Sequence, residues 1–293
     1  MAERPWAGAT FGSGWMHRQL IRLLRVVDVR VLYCFCDVFV VPFCILFNRS
    51  GRTSFAFYRT RLGYGFGKSL YFVWRNHCLF AQIVIDRFAM YAGKAFDVEI
   101  VGVNHLKRLE DKEDGFVLLS SHIGNYELAG YSLRTEKKTL HAIVYSNEKE
   151  TVMQNRDNLF GKMNVSMIAL REDMGHLFEI DAALRGGDIV SFPADRRMGD
   201  ARCVKVPFLG AEAGFPQGPF SVTTMRGVEV LALNVMKESP KRYKLYIAVL
   251  PYDRQASRQE QIRQLALAYV AELEKRIRQY PAQWFNFFDF WAA

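Results

Sequence analysis

The feature that most constrains the fold is the alternation of short apolar runs with helical patterns after residue 50. Seven apolar runs have the length and residue types of strands: 98–102, 116–121, 140–145, 165–170, 189–193, 228–235 and 243–250. Apolar residues at helical spacing precede or separate many of them, at 66–93, 123–134, 147–162, 173–185, 218–226 and 257–279. This alternation predicts an α/β fold, a single domain whose mixed sheet is covered by helices on both faces.

Residues 31–47 form an almost wholly apolar stretch before this domain. A membrane-spanning helix needs about 20 residues, and Asp37 and Pro42 further weaken a spanning interpretation. Arginines lie on both sides of the stretch, at Arg18, Arg22, Arg25 and Arg30 before it and Arg49, Arg52, Arg59 and Arg61 after it. Positive charge on both sides favours a helix or helical hairpin in an anionic membrane interface. A buried core helix is the alternative.

The position of this stretch also bears on location. It begins thirty residues into the chain and no small-residue cleavage site follows it, so it does not read as a signal peptide. We therefore expect the α/β domain to remain in the cytoplasm. The predicted organisation is an N-terminal, basic and apolar helical segment at 1–50 that associates with a membrane, followed by one α/β domain at 51–293.

The net charge and the cysteine content limit the classes of partner and metal that the protein is expected to bind. The net charge of +9 implies an acidic partner, such as nucleic acid, anionic lipid or an acidic carrier protein. Nucleic acid is the weakest of these, because no dense basic run and no helix-turn-helix or RNA-binding signature is present. The odd number of scattered cysteines suits reduced thiols, and no Cys/His cluster completes a zinc site. We expect neither a metal nor a cofactor.

A histidine and a carboxylate five positions apart follow the strand-like run 116–121, in His122-Ile-Gly-Asn-Tyr-Glu127. Residues five apart lie about 140° around a helix. The pair can therefore meet only if His122 is still in the strand-to-helix turn, where Gly124 and Asn125 supply a flexible or left-handed backbone. A carboxylate that orients an imidazole makes it a better general base. The alternative is a histidine that caps the helix, beside a solvated glutamate.

Two further stretches are candidate binding elements. Asp195-Arg196-Arg197 follows the run 189–193, and ligands in open α/β sheets collect beyond the carboxyl ends of strands. One arginine can face a phosphate while Asp195 fixes its orientation, although an exposed turn with an internal ion pair fits as well. The Gly- and Pro-rich loop that contains Gly218 leads into a helix, whose first N–H groups can bind a phosphate or an oxyanion. A purely structural turn is equally compatible.

Four blocks, in order, carry a family resemblance. Ser-Ser-His122-Ile-Gly-Asn-Tyr-Glu127 resembles the H-x4-D/E block of the lysophospholipid acyltransferase superfamily, in the form typical of its lipid A late-acyltransferase branch. The other three blocks are similar to later blocks of that branch, at 186–197, at 206–210 with Gly218-Pro219, and at 281–291 with its Pro-x-x-Trp…Trp pattern. Together they cover the chain from about residue 70 to its C-terminus.

The resemblance implies an enzyme that moves a fatty acyl chain from acyl-carrier protein or acyl-CoA to a hydroxyl or amine of a lipid. It implies His122 as general base, Glu127 as the carboxylate that orients it, and Asp195 as a third member of the site. The substrate-binding residues that it suggests are Gly124, Asn125, Arg156, Arg196, Arg197 and Gly218. This chain has Asp-Arg-Arg where the branch often has Asp-Gln, so either arginine can be the functional one.

The same resemblance bears on the acceptor, and the N-terminal stretch bears on the location. The Glu-Gly-Thr-Arg block of the glycerolipid-making branch is absent, which favours a saccharolipid of the lipid A type or an unusual aminolipid. The apolar stretch, its arginines and the net charge of +9 predict binding to the cytoplasmic face of a bacterial inner membrane, as a peripheral or monotopic protein or through a single N-terminal anchor. A hydrolase is one alternative, but the sequence contains no G-x-S-x-G nucleophile elbow to support it. A catalytically silent, membrane-bound lipid-binding scaffold is the other alternative.

Overall fold

The structure is a computed structural model that describes residues 12–133, 135–145, 154–155, 164–171, 173–196 and 201–291. Its N-terminal part is helical. The helices are α1 (Gly14–Val26), α2 (Val29–Phe35), α3 (Val41–Phe47), α4 (Ser50–Thr60) and α5 (Phe66–Tyr91), and a π-helical turn (Cys36–Val40) joins α2 to α3. Ser13 and Asp28 cap α1 and α2 through their side chains.

The rest of the described chain alternates strands and helices. Its elements are β1 (Asp97–Val101), α6 (Val103–Glu110), β2 (Phe116–Gly124), α7 (Tyr126–Ser132), β3 (Leu140–Tyr145), β4 (Val165–Leu170), α8 (His176–Arg185), β5 (Ile189–Pro193), β6 (Cys203–Phe208), β7 (Ala211–Pro216), α9 (Gln217–Arg226), β8 (Val230–Lys237), β9 (Arg242–Val249) and α10 (Arg258–Gln279). A 3-10 turn (Pro281–Gln283) precedes the C-terminal segment.

Seven strands form one mixed sheet in the order β1-β9-β8-β2-β5-β3-β4, and β6 and β7 form a separate hairpin. Within the sheet, β8 and β9 are antiparallel and the other neighbouring strands are parallel. Strand β2 is central, and all of its residues are buried. A strand buried on both faces is typical of parallel sheets with helices on each side.

Alternate residues of β2 point into two cores, because successive side chains of a strand face opposite sides of the sheet. Val117 and Leu119 pack with residues of α4, α8, α9 and α10 on one face. Phe116 and Leu118 pack with residues of α5, α6 and α7 on the other. The predicted α/β class, with a single mixed sheet covered on both faces, is confirmed.

Several element boundaries differ from the sequence-based ones. Strand β2 continues to Gly124 and α7 begins only at Tyr126, rather than at 123. Helix α6 and the β6–β7 hairpin were not predicted, and the hairpin was read as a Gly- and Pro-rich loop. The helix predicted at 147–162 lies almost entirely outside the described residues.

The N-terminal apolar stretch forms a helix at Val29–Phe47 that is long and apolar enough to cross a membrane, and only 17% of it is buried. Its acidic residue faces the protein, since Gln82 on α5 donates to the Asp37 carboxylate at 3.2 Å. The π turn ends two residues before Pro42, which has no N–H to continue a regular helix. The stretch is therefore a largely exposed helix with polar contacts to α5 at Tyr33 and Asp37, rather than a buried core helix.

Candidate active site

The end of β2 carries the histidine. His122 is the seventh residue of this nine-residue strand, so it lies at the strand end rather than in the turn that follows. The register between β2 and β8 shifts between Ser120 and Gly124, and Asn125 N–H donates to the Val235 carbonyl at 2.8 Å. Gly124 has a φ of +60°, and a Cβ there would collide with that same carbonyl. This sharp exit from the strand therefore requires glycine.

Asp195 comes to His122 from the neighbouring strand β5. Ala194 N–H donates to the Ser120 carbonyl at 2.9 Å, which extends the β2–β5 pairing by one residue. The His122 ring contacts Asp195 Oδ1 through Nδ1 at 2.7 Å, and the His122 backbone N–H donates to Asp195 Oδ2 at 2.8 Å. Both carboxylate oxygens of Asp195 are thus engaged by one residue.

This geometry corrects two sequence-based expectations. The carboxylate at His122 Nδ1 is that of Asp195, because strand pairing brings together residues 73 positions apart. Glu127 was expected in that place. Asp195 was in turn expected to orient an arginine, whereas its two oxygens accept hydrogen bonds from His122. The structure does bring His122 and Asp195 into contact at the carboxyl ends of adjacent parallel strands.

Burial and charge set the protonation of this pair. His122 and Asp195 are 8% and 1% exposed. Burial lowers the pKa of His122 below its ordinary value, and the Arg196 charge adds to this, while Asp195 opposes it. Burial alone would raise the pKa of Asp195, but His122 and Arg196 hold that pKa below its ordinary value. At neutral pH the imidazole is therefore neutral and donates from Nδ1 to the carboxylate, which leaves the Nε2 lone pair available as a base.

Glu127 faces helix α5. Arg87 Nη1 donates to Glu127 Oε1 at 3.0 Å, and the Tyr91 hydroxyl donates to Oε2 at 3.1 Å. Arg87 and Tyr91 are four positions apart, which places them on one face of α5. Burial would lower the pKa of Arg87, but the Glu127 charge raises it instead. Sequence reasoning missed both partners, because an Arg–Tyr pair at helical spacing is too common to mark a site.

The other predicted site residues divide into two groups. Arg196 Nη2 donates to the Phe285 carbonyl at 2.8 Å, so the C-terminal segment holds this arginine near His122. Gly218 lies in the first turn of α9, with open space beside its Cα, and none of the described contacts joins it to His122. Arg156 and Arg197 lie outside the described residues.

The C-terminal segment packs against the end of β2 that carries His122. Trp284 of this segment forms an isolated β-bridge with Ile123, the residue after His122. Tyr126, the first residue of α7, packs edge-on against the His122 ring at 5.0 Å between centroids. Trp284 is buried against Phe208, which lies on the hairpin strand β6. Across the described part of the chain, no three His, Cys, Asp or Glu side chains cluster as metal ligands would.

A buried histidine–carboxylate pair at the end of a central parallel strand can act as a general base for acyl transfer. The model of the bacterial lipid A biosynthesis acyltransferases matches residues 87–292, which include every described residue of this site. The chain belongs to this family, and the protein is therefore an acyltransferase. The resemblance seen in the sequence is confirmed.

Other comparisons add little beyond this. A similar solved structure is that of the 1-acyl-sn-glycerophosphate (LPA) acyltransferase PlsC from Thermotoga maritima, with 16% sequence identity and a TM-score of 0.37. The match covers 93% of this chain and 99% of that one. No curated protein matches the sequence.

Proposed function

We propose that the protein transfers a fatty acyl chain from acyl-carrier protein or acyl-CoA to a hydroxyl or amine of a lipid acceptor, most directly a lipid A-type saccharolipid. The observation that carries this proposal is the hydrogen-bonded pair of His122 and Asp195 at the carboxyl end of β2. Family membership supports the acyltransferase chemistry and favours the saccharolipid acceptor.

In the proposed reaction, His122 Nε2 takes a proton from the acceptor hydroxyl while the acceptor oxygen attacks the thioester carbonyl. A carbon–oxygen bond forms, and the tetrahedral intermediate collapses with cleavage of the carbon–sulfur bond. The imidazolium then returns its proton to the departing thiolate, so no acyl-enzyme is needed. Asp195 keeps the imidazole in the required tautomer and stabilises the transient positive charge. General-base action of this kind contributes about 10²- to 10⁴-fold.

Glu127 has a positioning role in this mechanism. Its contacts with Arg87 and Tyr91 tie the first turn of α7 to α5, and the turn at Gly124 and Asn125 joins that helix to His122. Arg196 supplies positive charge beside the histidine, and we assign it to binding an anionic group of donor or acceptor. Arg156, Arg197 and Gly218 are proposed as further substrate contacts from the sequence pattern alone.

We also propose that the enzyme works at the cytoplasmic face of a bacterial inner membrane, as a peripheral or monotopic protein or through a single N-terminal anchor. The exposed apolar side chains of the 29–47 helix include Val31, Phe35, Val38, Phe39, Val40, Phe43, Leu46 and Phe47. Burying apolar surface contributes about 25 cal/mol per Å². Each Lys or Arg near an anionic surface adds about 1 kcal/mol, and eight arginines flank the stretch from 31 to 47.

Labelled acyl-carrier protein or acyl-CoA, incubated with the purified protein and either a lipid A precursor or a total lipid extract, tests the function. Mass spectrometry of the lipid products should reveal an acylated saccharolipid. His105→Ala provides a matched control for His122→Ala, because His105 is exposed on α6. Release of free fatty acid alone would mean a hydrolase, and no new labelled product with any donor and acceptor would mean a silent scaffold.

A further inference from the structure

Four polar side chains from four elements meet in the interior, away from the His122–Asp195 pair. They are Tyr33 of α2, Asp86 of α5, Lys237 of β8 and Tyr243 of β9, and none is more than 5% exposed. The Asp86 carboxylate accepts from both tyrosine hydroxyls and from Lys237 Nζ. Lys237 Nζ also lies 3.1 Å from the Tyr33 hydroxyl and 3.3 Å from that of Tyr243.

Such a cluster is expensive to bury. Burial raises the pKa of Asp86 and lowers that of Lys237, while their mutual attraction opposes both shifts. A buried ion pair is seldom more stabilising than well-packed apolar side chains of the same volume. Its best-attested use is to specify one arrangement of the elements that contribute to it. The contacts on the two sides of this cluster indicate which arrangement of elements it specifies.

One side of the cluster contacts the turn that follows His122. The Asn125 side-chain amide donates to the Tyr243 hydroxyl at 3.5 Å. The backbone N–H and carbonyl of Lys237 both bond to the side-chain amide of Gln283 at 2.8 Å. Gln283 directly precedes Trp284, which bridges to Ile123 in β2. The cluster thus contacts the turn that follows His122 and, through Gln283, the C-terminal segment that pairs with Ile123.

The other side of the cluster contacts the apolar N-terminal helix. Tyr33 lies within Val29–Phe47 and donates its hydroxyl hydrogen to Asp86, and the same hydroxyl oxygen lies 3.3 Å from the Pro240 carbonyl oxygen. Neighbouring residues of the same helix, such as Phe35 and Phe39, are more than half exposed. The helix therefore joins the proposed membrane-facing surface directly to the buried cluster.

We propose that Tyr33, Asp86, Lys237 and Tyr243 form a positioning group that holds the turn at 124–125 in its catalytic geometry only while α2 is seated on the α/β domain. This inference rests on the proposed acyl transfer. It means that the N-terminal helix contributes to the chemical step as well as to membrane binding. None of the four residues touches the reacting atoms, so each acts through Asn125 or through the C-terminal segment.

Single hydroxyl deletions test this coupling. Tyr33→Phe and Tyr243→Phe should each lower kcat about tenfold on detergent-dispersed acceptor, where membrane targeting plays no part, and leave the KM for the acyl donor within about twofold. Tyr246→Phe is the matched control on β9, since its hydroxyl bonds to Tyr280 instead, and its kcat should stay at the wild-type value. Vesicle binding should be unchanged in all three variants.

The double variant Asp86→Leu/Lys237→Met separates positioning from stability. It replaces the ion pair with apolar side chains of similar volume, which offsets the cost of leaving the Tyr33 and Tyr243 hydroxyls without Asp86 as acceptor. Its Tm should therefore stay near that of the wild type, while its kcat falls at least tenfold. Wild-type kcat in this folded double variant, or losses of kcat that simply follow losses of Tm across the variants, would overturn the inference. An inactive wild-type enzyme would instead refute the proposed function, so the two failures are distinguishable.

Discussion

Asp195 offers two acceptor oxygens to one residue, and an asparagine at this position can offer only one. In Asp195→Asn, the amide nitrogen must therefore face either the ring N–H or the backbone N–H of His122. The imidazole loses its fixed tautomer, so we expect kcat to fall by about 10²- to 10⁴-fold with little change in KM. Steady-state kinetics with circular dichroism to verify folding provides the measurement. Activity within about threefold of wild type would show that Asp195 does not orient the base.

Glu127→Gln should affect stability more than chemistry. The glutamine keeps the shape but removes the charge that neutralises Arg87, whose side chain is 16% exposed. Breaking a buried ion pair on one side costs up to about 3–5 kcal/mol, and the partial exposure of Arg87 reduces this to roughly 1–3 kcal/mol. Thermal unfolding should show the loss, with kcat less affected than in Asp195→Asn. The reverse order of the two kcat losses would return the orienting role to Glu127.

The pH dependence follows from the His122 environment. Because burial lowers the pKa of His122, its base form dominates at neutral pH. The kcat should therefore rise with pH to a plateau, and the midpoint of this rise should lie below pH 6.5. Asp195 raises the pKa of His122, so its removal in Asp195→Asn should move the residual midpoint further down. A pH series of kcat for both proteins measures the two midpoints. A wild-type midpoint above 6.5 would contradict a buried, neutral base.

The sequence identified His122 and Asp195 as residues that each follow a predicted strand, because apolar runs reveal strands and ligands collect beyond the carboxyl ends of parallel strands. It could not identify their contact. That hydrogen bond depends on which strands pair, and the pairing of β2 with β5 joins segments far apart in the chain. The local spacing of five residues therefore favoured Glu127, the carboxylate nearer in the sequence, over Asp195, the carboxylate that contacts His122 in the structure.

At the scale of elements, the exit from β2 depends on Gly124. Gly124→Ala places a Cβ against the Val235 carbonyl and forces an alanine to a φ of +60°. A left-handed alanine alone costs about 1–2 kcal/mol, and the collision adds to this, so Tm and kcat should both fall. Gly67→Ala is the matched control, because Gly67 is helical with open space around it and should be neutral or slightly stabilising. Equal Tm values for the two variants would contradict this account of the turn.

The hairpin β6–β7 forms where the sequence composition predicted a loop. Pro207, Gly214 and Pro216 gave this stretch the composition of a loop, yet each lies in the paired register of the hairpin. Its strand character comes from the burial of Phe208 and Phe215 against the C-terminal aromatic residues. That packing is a tertiary effect that local propensity does not contain.

The N-terminal helix should bind membranes through its exposed aromatic face. Phe39→Ser/Phe43→Ser removes two exposed rings without touching Tyr33 or Asp37, so flotation with anionic phospholipid vesicles should decrease several-fold. Phe178→Ser is the matched control, since Phe178 is 81% exposed on α8. If the control lowers vesicle binding as much as the double variant does, the helix is not the membrane-binding element.

At the scale of the whole molecule, membrane binding should have two components with different responses to salt. The net charge of +9 attracts an anionic surface, and this attraction is screened within a Debye length of about 8 Å at physiological ionic strength. The apolar component survives screening. High salt should therefore release little protein from membranes, and detergent should release most of it. Full-length protein in the soluble fraction at low salt would refute membrane association.

The proposed role of His122 is to activate the acceptor for direct attack on an acyl thioester. Its most direct measurement is the single-turnover rate of acyl transfer from labelled acyl-carrier protein or acyl-CoA to the acceptor identified for the wild type, for purified wild type and His122→Ala. We predict a loss of about 10²- to 10⁴-fold in His122→Ala, with an unchanged circular dichroism spectrum and with His105→Ala at the wild-type rate. Transfer at the wild-type rate by folded His122→Ala would contradict the mechanism.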